Sequence, residues 1–335
     1  MEPIKLIRSF TILLALASVA FSCKKEGCTD PLATNYNADA KKDDGSCIYP
    51  EPRLVFVFEF DSTQARLNNF GLPAGLPFGH AGQNPKMNKM SAHYLELAPS
   101  AFTALGSGAV VFHAAETTAG GETAIDFSAA NAVGNNEEFY SIPLKDVAAG
   151  EYEYLRVSLA YQNYDIKFHL DSVYNVPGVG NVSIVQDFNA TVASFVGYNT
   201  YITNYFIKNQ NITVNANKKQ GYWGFETSGN IVALGNYPFS YYDTGSAPEG
   251  STTVVNPLSA TSPIPAGSCV VTGAFNGGKL KITGNETKDI IVRVSLSTNK
   301  SFEWIDGNGN NKFEPTKGEQ IVDMGLRGVI PYVQQ

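Results

Sequence analysis

The sequence is poor in charge and in the residues that most often carry chemistry. Charged residues make up 16% of the 335 positions, and the chain has only four histidines, four cysteines, four methionines and two tryptophans. The net charge of −7 argues against nucleic acid as a partner, because nucleic-acid binding depends on basic side chains. It also argues against a polybasic face that would hold the protein on a membrane.

Motifs of the common enzyme families are absent as well. The chain has no G-x-S-x-G nucleophile elbow, no H-E-x-x-H zinc helix, no phosphate-binding glycine loop and no C-x-x-C pair. No convincing helical periodicity appears from residue 53 onward. We therefore expect a strand-built protein with a binding or scaffolding role, and no enzymatic activity.

A short apolar run lies at the N-terminus. It extends from Phe10 to Phe21, follows Lys5 and Arg8, and ends just before Cys23. The run is too short to span a bilayer comfortably and is typical of a secretory signal. Its end resembles a bacterial lipobox, which implies that residues 1–22 are a lipoprotein signal peptide. The resemblance also implies that Cys23 carries acyl chains such as palmitate, which would anchor the protein at the cell outer membrane.

Two further cysteines bracket a short polar segment. Export to an oxidising compartment predicts a disulfide between Cys28 and Cys47, and leaves Cys269 as an unpaired thiol in an apolar strand. Residues 28–47 (CTDPLATNYNADAKKDDGSC) resemble the "CTDPxAxNYNxxAxxDDGSC" modules of surface lipoproteins and secreted proteins of Gram-negative bacteria. Residues 23–52 are thus predicted to form an anchor, a Cys-bounded module and a linker.

The resemblance of these modules to calcium-binding repeats makes calcium a candidate ligand. Their oxygen-bearing side chains are of the kind that hard cations prefer. The candidate ligands are Asp30, Asn35, Asn37, Asp39, Asp43 and Asp44. The alternative is that these residues are turn formers in a spacer closed by the disulfide.

Residues 53–335 are predicted to be an all-β body. Apolar and polar residues alternate with a period of two, and turn-forming residues recur about every ten positions, which is typical of a β-sandwich. The body is either one sandwich or two sandwich-like halves with a boundary within residues 243–265. Gln162-Asn163 is predicted to be the turn of a hairpin, and residues 276–278 and 297–299 are predicted to be short hairpin loops.

A second candidate calcium site lies near the C-terminus. Asp306, Asn308 and Asn310 fall at positions 1, 3 and 5 of a calcium loop, and the carbonyl of Lys312 would supply position 7. Position 12 is Lys317 instead of the usual glutamate. Other carboxylates, Glu314 and Glu319 among them, would therefore have to replace it. The alternative is a plain loop rich in glycine and asparagine.

Histidine and methionine cluster between the first and third strands, which makes copper an alternative ligand. Imidazole and thioether groups suit Cu(I). The candidate ligands are His80, Met87, Met90, His93 and His113. The alternative is that the methionines pack in the core and the histidines lie at strand edges.

The same region resembles MbnP-like periplasmic copper-binding proteins in the order of its elements. A "Met-Ser-x-x-Tyr" strand at residues 90–94 precedes a "DVxAGxYxxLRVS" strand at residues 146–158. The resemblance implies copper binding by the body.

Aromatic residues give a third alternative. Tyr222, Trp223 and the stretch at residues 237–243 could stack on sugar rings, or could equally build the core of a sandwich. The sequence as a whole predicts an exported lipoprotein of the cell envelope, of an uncharacterised family, with structural calcium. Copper binding and glycan binding are the two alternatives, and a glycan or another envelope protein is the expected partner.

Overall fold

The computed structural model describes residues 25–67, 72–247 and 269–334. The chain divides into two compact units, residues 1–51 and residues 52–335. The predicted signal peptide and Cys23 lie outside the described residues. Within the described part of the chain, no helix is long and apolar enough to cross a membrane.

The small unit is closed by the disulfide between Cys28 and Cys47, which confirms the predicted pairing. In its described part, Cys28 and Ala33 are the buried apolar residues. A core this small contributes little, so the disulfide and backbone hydrogen bonds such as that from Thr34 N to the Ile48 carbonyl hold the unit together.

The body is all-β, as predicted. Over the residues described it contains twenty strands, four short 3₁₀ helices and no α-helix. The strands are β1 (Arg53–Asp61), β2 (His80–Gln83), β3 (Lys86–Ala98), β4 (Ala109–His113), β5 (Glu116–Thr117), β6 (Ala124–Asp126), β7 (Glu137–Pro143), β8 (Gly150–Tyr152), β9 (Tyr154–Val176), β10 (Gly180–Phe195), β11 (Asn199–Phe206), β12 (Asn211–Lys219), β13 (Tyr222–Ile231), β14 (Tyr237–Ser246), β15 (Cys269–Ala274), β16 (Leu280–Ile282), β17 (Ile290–Ser297), β18 (Phe302–Ile305), β19 (Ile321–Asp323) and β20 (Val329–Val333).

A seven-stranded sheet forms the centre of the body. Its order is β14-β13-β10-β9-β3-β4, and β15 also pairs with β9. The sheet β20-β17-β1-β7 contains a parallel pair, β1 and β17. Smaller sheets complete the body, with orders β12-β11-β6-β5, β19-β18-β2 and β16-β8.

The apolar core lies between these sheets, as expected for a sandwich. The main cluster joins Leu54, Phe56 and Phe58 of β1 to Leu155 and Val157 of β9. A second cluster packs the outer part of β9 and β10 against β18, and a third packs β10 against β11. Alternation of side chains along each strand explains why the period-two pattern was visible in the sequence.

The predicted hairpin at Gln162-Asn163 is wrong, because β9 runs without interruption from Tyr154 to Val176. Both residues are buried, and the Asn163 side-chain amide donates to the Ile207 carbonyl at 2.8 Å. Two adjacent amides are typical of a turn, and the partner of Asn163 at Ile207 is too distant in sequence to be inferred from the local pattern.

The two short loops also fail as hairpins. The strands that flank residues 276–278 and 297–299 belong to different sheets. Strands that follow residues 243–265 pair with strands that precede them: β15 pairs with β9, and β17 pairs with β1. Residues 52–335 form one compact unit.

Candidate metal site of the β-sandwich body

A β-bulge places His93 at one corner of the candidate site. In the pairing of β3 with β9, Ala92 lies opposite Leu159 and Tyr94 lies opposite Ser158, so His93 is the extra residue. Bulges of this kind redirect a side chain out of the regular alternation. The His93 side chain is fully buried.

Neighbouring elements bring two more potential ligands to this corner. His113 ends β4, and Glu116 begins β5, so the chain passes from the central sheet to the side sheet between them. The backbone amide of Ala114 donates to the His93 carbonyl at 2.8 Å, which fixes the crossing point next to the bulge.

The ligand atoms of His93, His113 and Glu116 lie within 4.8 Å of one another. Nε2 of His93 is 3.0 Å from Oε1 of Glu116, and Nε2 of His113 is 4.0 Å from the same oxygen. The hydroxyl of Tyr198 also donates to that oxygen at 3.0 Å. His113 and Glu116 keep about a third of their side-chain surface exposed, so the cluster is open to solvent on one side.

Burial favours a neutral imidazole at His93. Burial, and next the neighbouring His113, lower the pKa of His93 to about 4. Nδ1 of His113 lies 3.0 Å from the Ala114 carbonyl. If Nδ1 of His113 carries the proton, it donates to the Ala114 carbonyl, and Nε2 then directs its lone pair toward Glu116. Burial and the charge of Glu116 raise the pKa of Tyr198, so its hydroxyl stays protonated.

Two features distinguish this cluster from an ordinary buried ion pair. Glu116 has no lysine or arginine partner among the residues described, and Nδ1 of the buried His93 has no hydrogen-bond partner there. At a carboxylate beside two imidazoles, a bound metal ion would supply positive charge that no described arginine or lysine provides. Two imidazoles and one carboxylate form a set that suits Zn²⁺ or Cu²⁺.

The structure brings together only part of the predicted copper set. His93 and His113 meet, but Met90 is fully buried in the main core cluster and Met87 packs between two clusters. His80 lies on β2, where its Nδ1 is 2.5 Å from Oε1 of Glu303. A soft site built from thioether ligands is therefore not assembled, since the apolar core takes the methionines.

The predicted calcium ligands of the small unit are engaged in local hydrogen bonds. The Asp30 carboxylate accepts from Leu32 N and from the Tyr49 hydroxyl, and these bonds lower its pKa. Asn35 bonds the backbone of Ser46 and Ile48.

The remaining four side chains of that set also bond nearby groups. Asn37, Asp43 and Asp44 each accept from a backbone amide two residues further on, and Asp39 pairs with Lys25. These contacts are those of turn-forming Asx residues, which is the alternative interpretation of the segment.

The C-terminal loop does gather its predicted ligands around one point. The amides of Asn308 and Asn310 both donate to Oε2 of Glu314 at 2.6 Å, and Glu314 is almost completely buried. Asp306 accepts from three backbone amides, those of Gly309, Asn310 and Asn311.

Two more predicted ligands lie in the same loop. Lys312 donates its backbone amide to Oδ1 of Asn310. Oε2 of Glu319 accepts from Glu314 N, while its Oε1 is buried and has no partner among the described residues. Burial, and then the charges of Asp306 and Glu314, raise the pKa of Glu319.

The aromatic pair proposed for glycan stacking is separated by the sheet. Tyr222 and Trp223 are neighbours on β13, so their side chains point to opposite faces. Tyr222 is buried in the third core cluster, and Trp223 is half-buried against the second. The two rings therefore cannot form one platform.

Sequence reasoning missed Glu116 and Tyr198. A weak signal was present for Glu116, because it follows His113 at a spacing of three. No signal pointed to Tyr198, which is 82 residues from Glu116 in sequence and reaches it only through the fold.

No family model, no curated protein and no solved structure matches this chain. Its function is therefore inferred from the chemistry of the site itself.

Proposed function

We propose that this protein is an exported, lipid-anchored envelope protein whose β-sandwich body binds a divalent transition metal. The observation that carries the proposal is the convergence of His93, His113 and Glu116 within 4.8 Å at a bulge. Among the residues that the structure describes, no arginine or lysine neutralises the carboxylate. Its role is binding, and catalysis is not part of the proposal.

Copper and zinc both fit the donor set, and copper is the expected preference. Two imidazole nitrogens and a carboxylate oxygen bind Cu²⁺ more tightly than Zn²⁺ in the general order of divalent metal affinities. Cu(I) is disfavoured, because Met90 lies in the apolar core and offers it no thioether ligand.

Metal titration of the full mature chain tests the proposal. We expect one equivalent of Cu²⁺ or Zn²⁺ to bind, and we expect His113→Ala to weaken the affinity at least about tenfold, since even supporting residues of metal sites cost that much. His169→Ala is the matched control, because His169 also pairs with a carboxylate, Asp187, but no third ligand joins them among the described residues. Equal binding by the His113→Ala variant would refute the assignment.

Two features of the N-terminal sequence support a location in the cell envelope. The apolar run before Cys23 and the Cys28–Cys47 module are typical of exported lipoproteins. We expect the wild-type protein to sediment with membranes and to incorporate labelled palmitate. A Cys23→Ser variant that still incorporated the label would contradict the anchor.

Structural calcium in the C-terminal loop is the second candidate function. Its support is Oε1 of Glu319, which is buried near Glu314 and has no hydrogen-bond partner in the described part of the chain. A flip of the side-chain amides of Asn308 and Asn310 would direct their oxygens toward Glu314. A bound cation would favour this flipped orientation, because the amide oxygen is the ligand atom. Six or more oxygens are what Ca²⁺ requires.

Calcium-dependent unfolding tests this second candidate. Ca²⁺ should raise the melting temperature of the wild-type protein, and Asp306→Asn should abolish that increase. Asp243→Asn, an exposed aspartate on β14, is the control and should retain it. An unchanged melting temperature of the wild-type protein in Ca²⁺ and in chelator would eliminate this site.

A further inference from the structure

A polar cleft of about 520 Å³ lies on one face of the central sheet, away from the candidate metal site. Its floor is formed by residues that lie opposite one another on three adjacent strands. Thr191 on β10 is paired with Asp165 on β9 and with Glu226 on β13, and Asn189 is paired with Lys167. The volume is within the range of small-ligand sites in proteins.

The two carboxylates of the floor are already satisfied by fixed donors. Oε2 of Glu226 accepts from the backbone amides of Lys208, Asn209 and Gln210 at 2.8, 2.8 and 3.0 Å. Burial works to raise the pKa of Glu226, but these three bonds lower it below its usual value. Oδ1 of Asp165 accepts from the Thr191 hydroxyl at 2.7 Å. Both carboxylates are therefore held in place by hydrogen-bond donors of the protein.

Three lysines around the cleft remain without carboxylate partners. Lys86, Lys167 and Lys208 line it, are exposed, and form no ion pair with any residue that the structure describes. Other lysines of the body do pair, as Lys219 does with Glu122 and Lys281 with Glu151. These three ammonium groups outnumber the two carboxylates of the lining, Asp165 and Glu226, so the cleft has a positive charge balance on a chain with a net charge of −7.

The wall between the lysines is held in place. The Gln83 side chain bonds both the N–H and the C=O of Lys167, at 2.9 and 2.7 Å, and so fixes the free edge of β9 at this point. The Thr227 hydroxyl bonds the Asn189 carbonyl at 2.8 Å. Hydroxyl and amide groups of Ser228 and Asn189 are left at the surface of the cleft. The cleft is thus a largely preformed polar site.

We propose that this cleft binds an acidic oligosaccharide. Its anionic groups would lie against the ammonium groups of Lys86, Lys167 and Lys208, and its hydroxyls would lie against Asn189 and Ser228. Many hydroxyls combined with a few negative charges match a lining of amides, hydroxyls and ammonium groups. The anionic group is a carboxylate or a sulfate, since both offer the same charge to the lysines.

Calorimetric titration of the full mature chain tests the proposal. The probes are a galacturonate hexamer, a sulfated hexasaccharide and maltohexaose, which carry carboxylates, sulfates and no charge. We expect binding of at least one acidic probe, none of maltohexaose at the same concentration, and weaker binding as salt is raised. Which acidic probe binds more tightly identifies the anionic group.

A double variant, Lys167→Gln with Lys208→Gln, should lower the affinity for the acidic probe at least tenfold. The matched control is Lys219→Gln with Lys281→Gln, which removes the same charge from exposed, ion-paired lysines elsewhere and should bind as the wild type does. All four positions are exposed, so thermal unfolding should be little changed. No binding of either acidic probe, equal binding of maltohexaose, or equal loss in both double variants would overturn the proposal.

Discussion

Two histidine–carboxylate pairs in the body make similar contacts but differ in the residues that surround them. His93 lies 3.0 Å from Glu116, and His80 lies 2.5 Å from Glu303. Glu303 is almost completely buried and also receives the guanidinium groups of Arg66 and Arg327. Glu116 is partly exposed and receives His113 and Tyr198.

The difference shows how charge compensation separates a structural pair from a candidate metal site. Burial works to raise the pKa of Glu303, but the His80 hydrogen bond and the two arginine charges lower it below its usual value. That carboxylate is neutralised within the fold. At Glu116 the partners are two imidazoles and a phenol hydroxyl, none of which carries a fixed positive charge. Adding a cation would therefore stabilise the arrangement at Glu116 and not the one at Glu303.

Loss of one arginine should have the largest effect on stability. Arg66→Met leaves the buried Glu303 with less compensation, and breaking a buried pair in this way costs about 3–5 kcal/mol of unfolding free energy. Urea unfolding measures the effect. Glu116→Gln is the control at the other pair and should cost far less. Similar losses in both variants would show that the two pairs do not differ as described.

Metal should stabilise the body through one pair and not through the other. At a free Cu²⁺ or Zn²⁺ concentration of about 100 times Kd, linkage predicts about 2.7 kcal/mol of added stability, which chelation would remove. His93→Gln should abolish this gain, while His80→Gln should retain it. Thermal unfolding with and without metal checks both. Retention of the gain in His93→Gln would place the metal elsewhere.

Acid should weaken the Glu303 pair over a definite range of pH. Because the pKa of Glu303 is lower in the folded state than in the unfolded chain, its contribution is complete above its unfolded pKa of about 4.3 and declines as pH falls through the lower folded value. We expect a smaller loss than for Arg66→Met. Unfolding measured between pH 7 and pH 3 should therefore show a flatter acid limb in Glu303→Gln than in the wild-type protein.

The smallest expected effect concerns Tyr198. Its hydroxyl holds Oε1 of Glu116 at 3.0 Å, and one hydrogen bond of this kind contributes about 0.5–1.5 kcal/mol. Tyr198→Phe should weaken metal affinity by a factor of about 2 to 10 on the same estimate. Tyr201→Phe, on β11, is the control. A metal affinity unchanged by Tyr198→Phe would remove Tyr198 from the site but leave the three ligands.

The sequence predicted half of the candidate metal site. His93 and His113 were identified because histidine is rare in this chain and three of its four copies, His80 included, fall close together. Met87 and Met90 were grouped with them for the same reason, although the core holds Met90. Proximity in sequence cannot reveal which side of a strand a residue takes once a bulge shifts the alternation.

The cleft could not have been predicted from any one segment. Lys86, Lys167 and Lys208 are scattered along more than a hundred residues and carry no shared motif. The same holds for the buried Asn163, whose partner carbonyl at Ile207 lies 44 residues away. Such pairs become visible only when the strand order is known.

By itself the sequence determined the all-β character of the body and the disulfide of the small unit. Both follow from short-range physics, since strand alternation repeats every two residues and the two cysteines close a short loop. The tertiary structure alone decided which histidine meets Glu116, which carboxylate Arg66 neutralises, and where unpaired lysines gather. Those outcomes depend on sheet order, register and a single extra residue in β3, which are settled by packing between segments far apart in the chain.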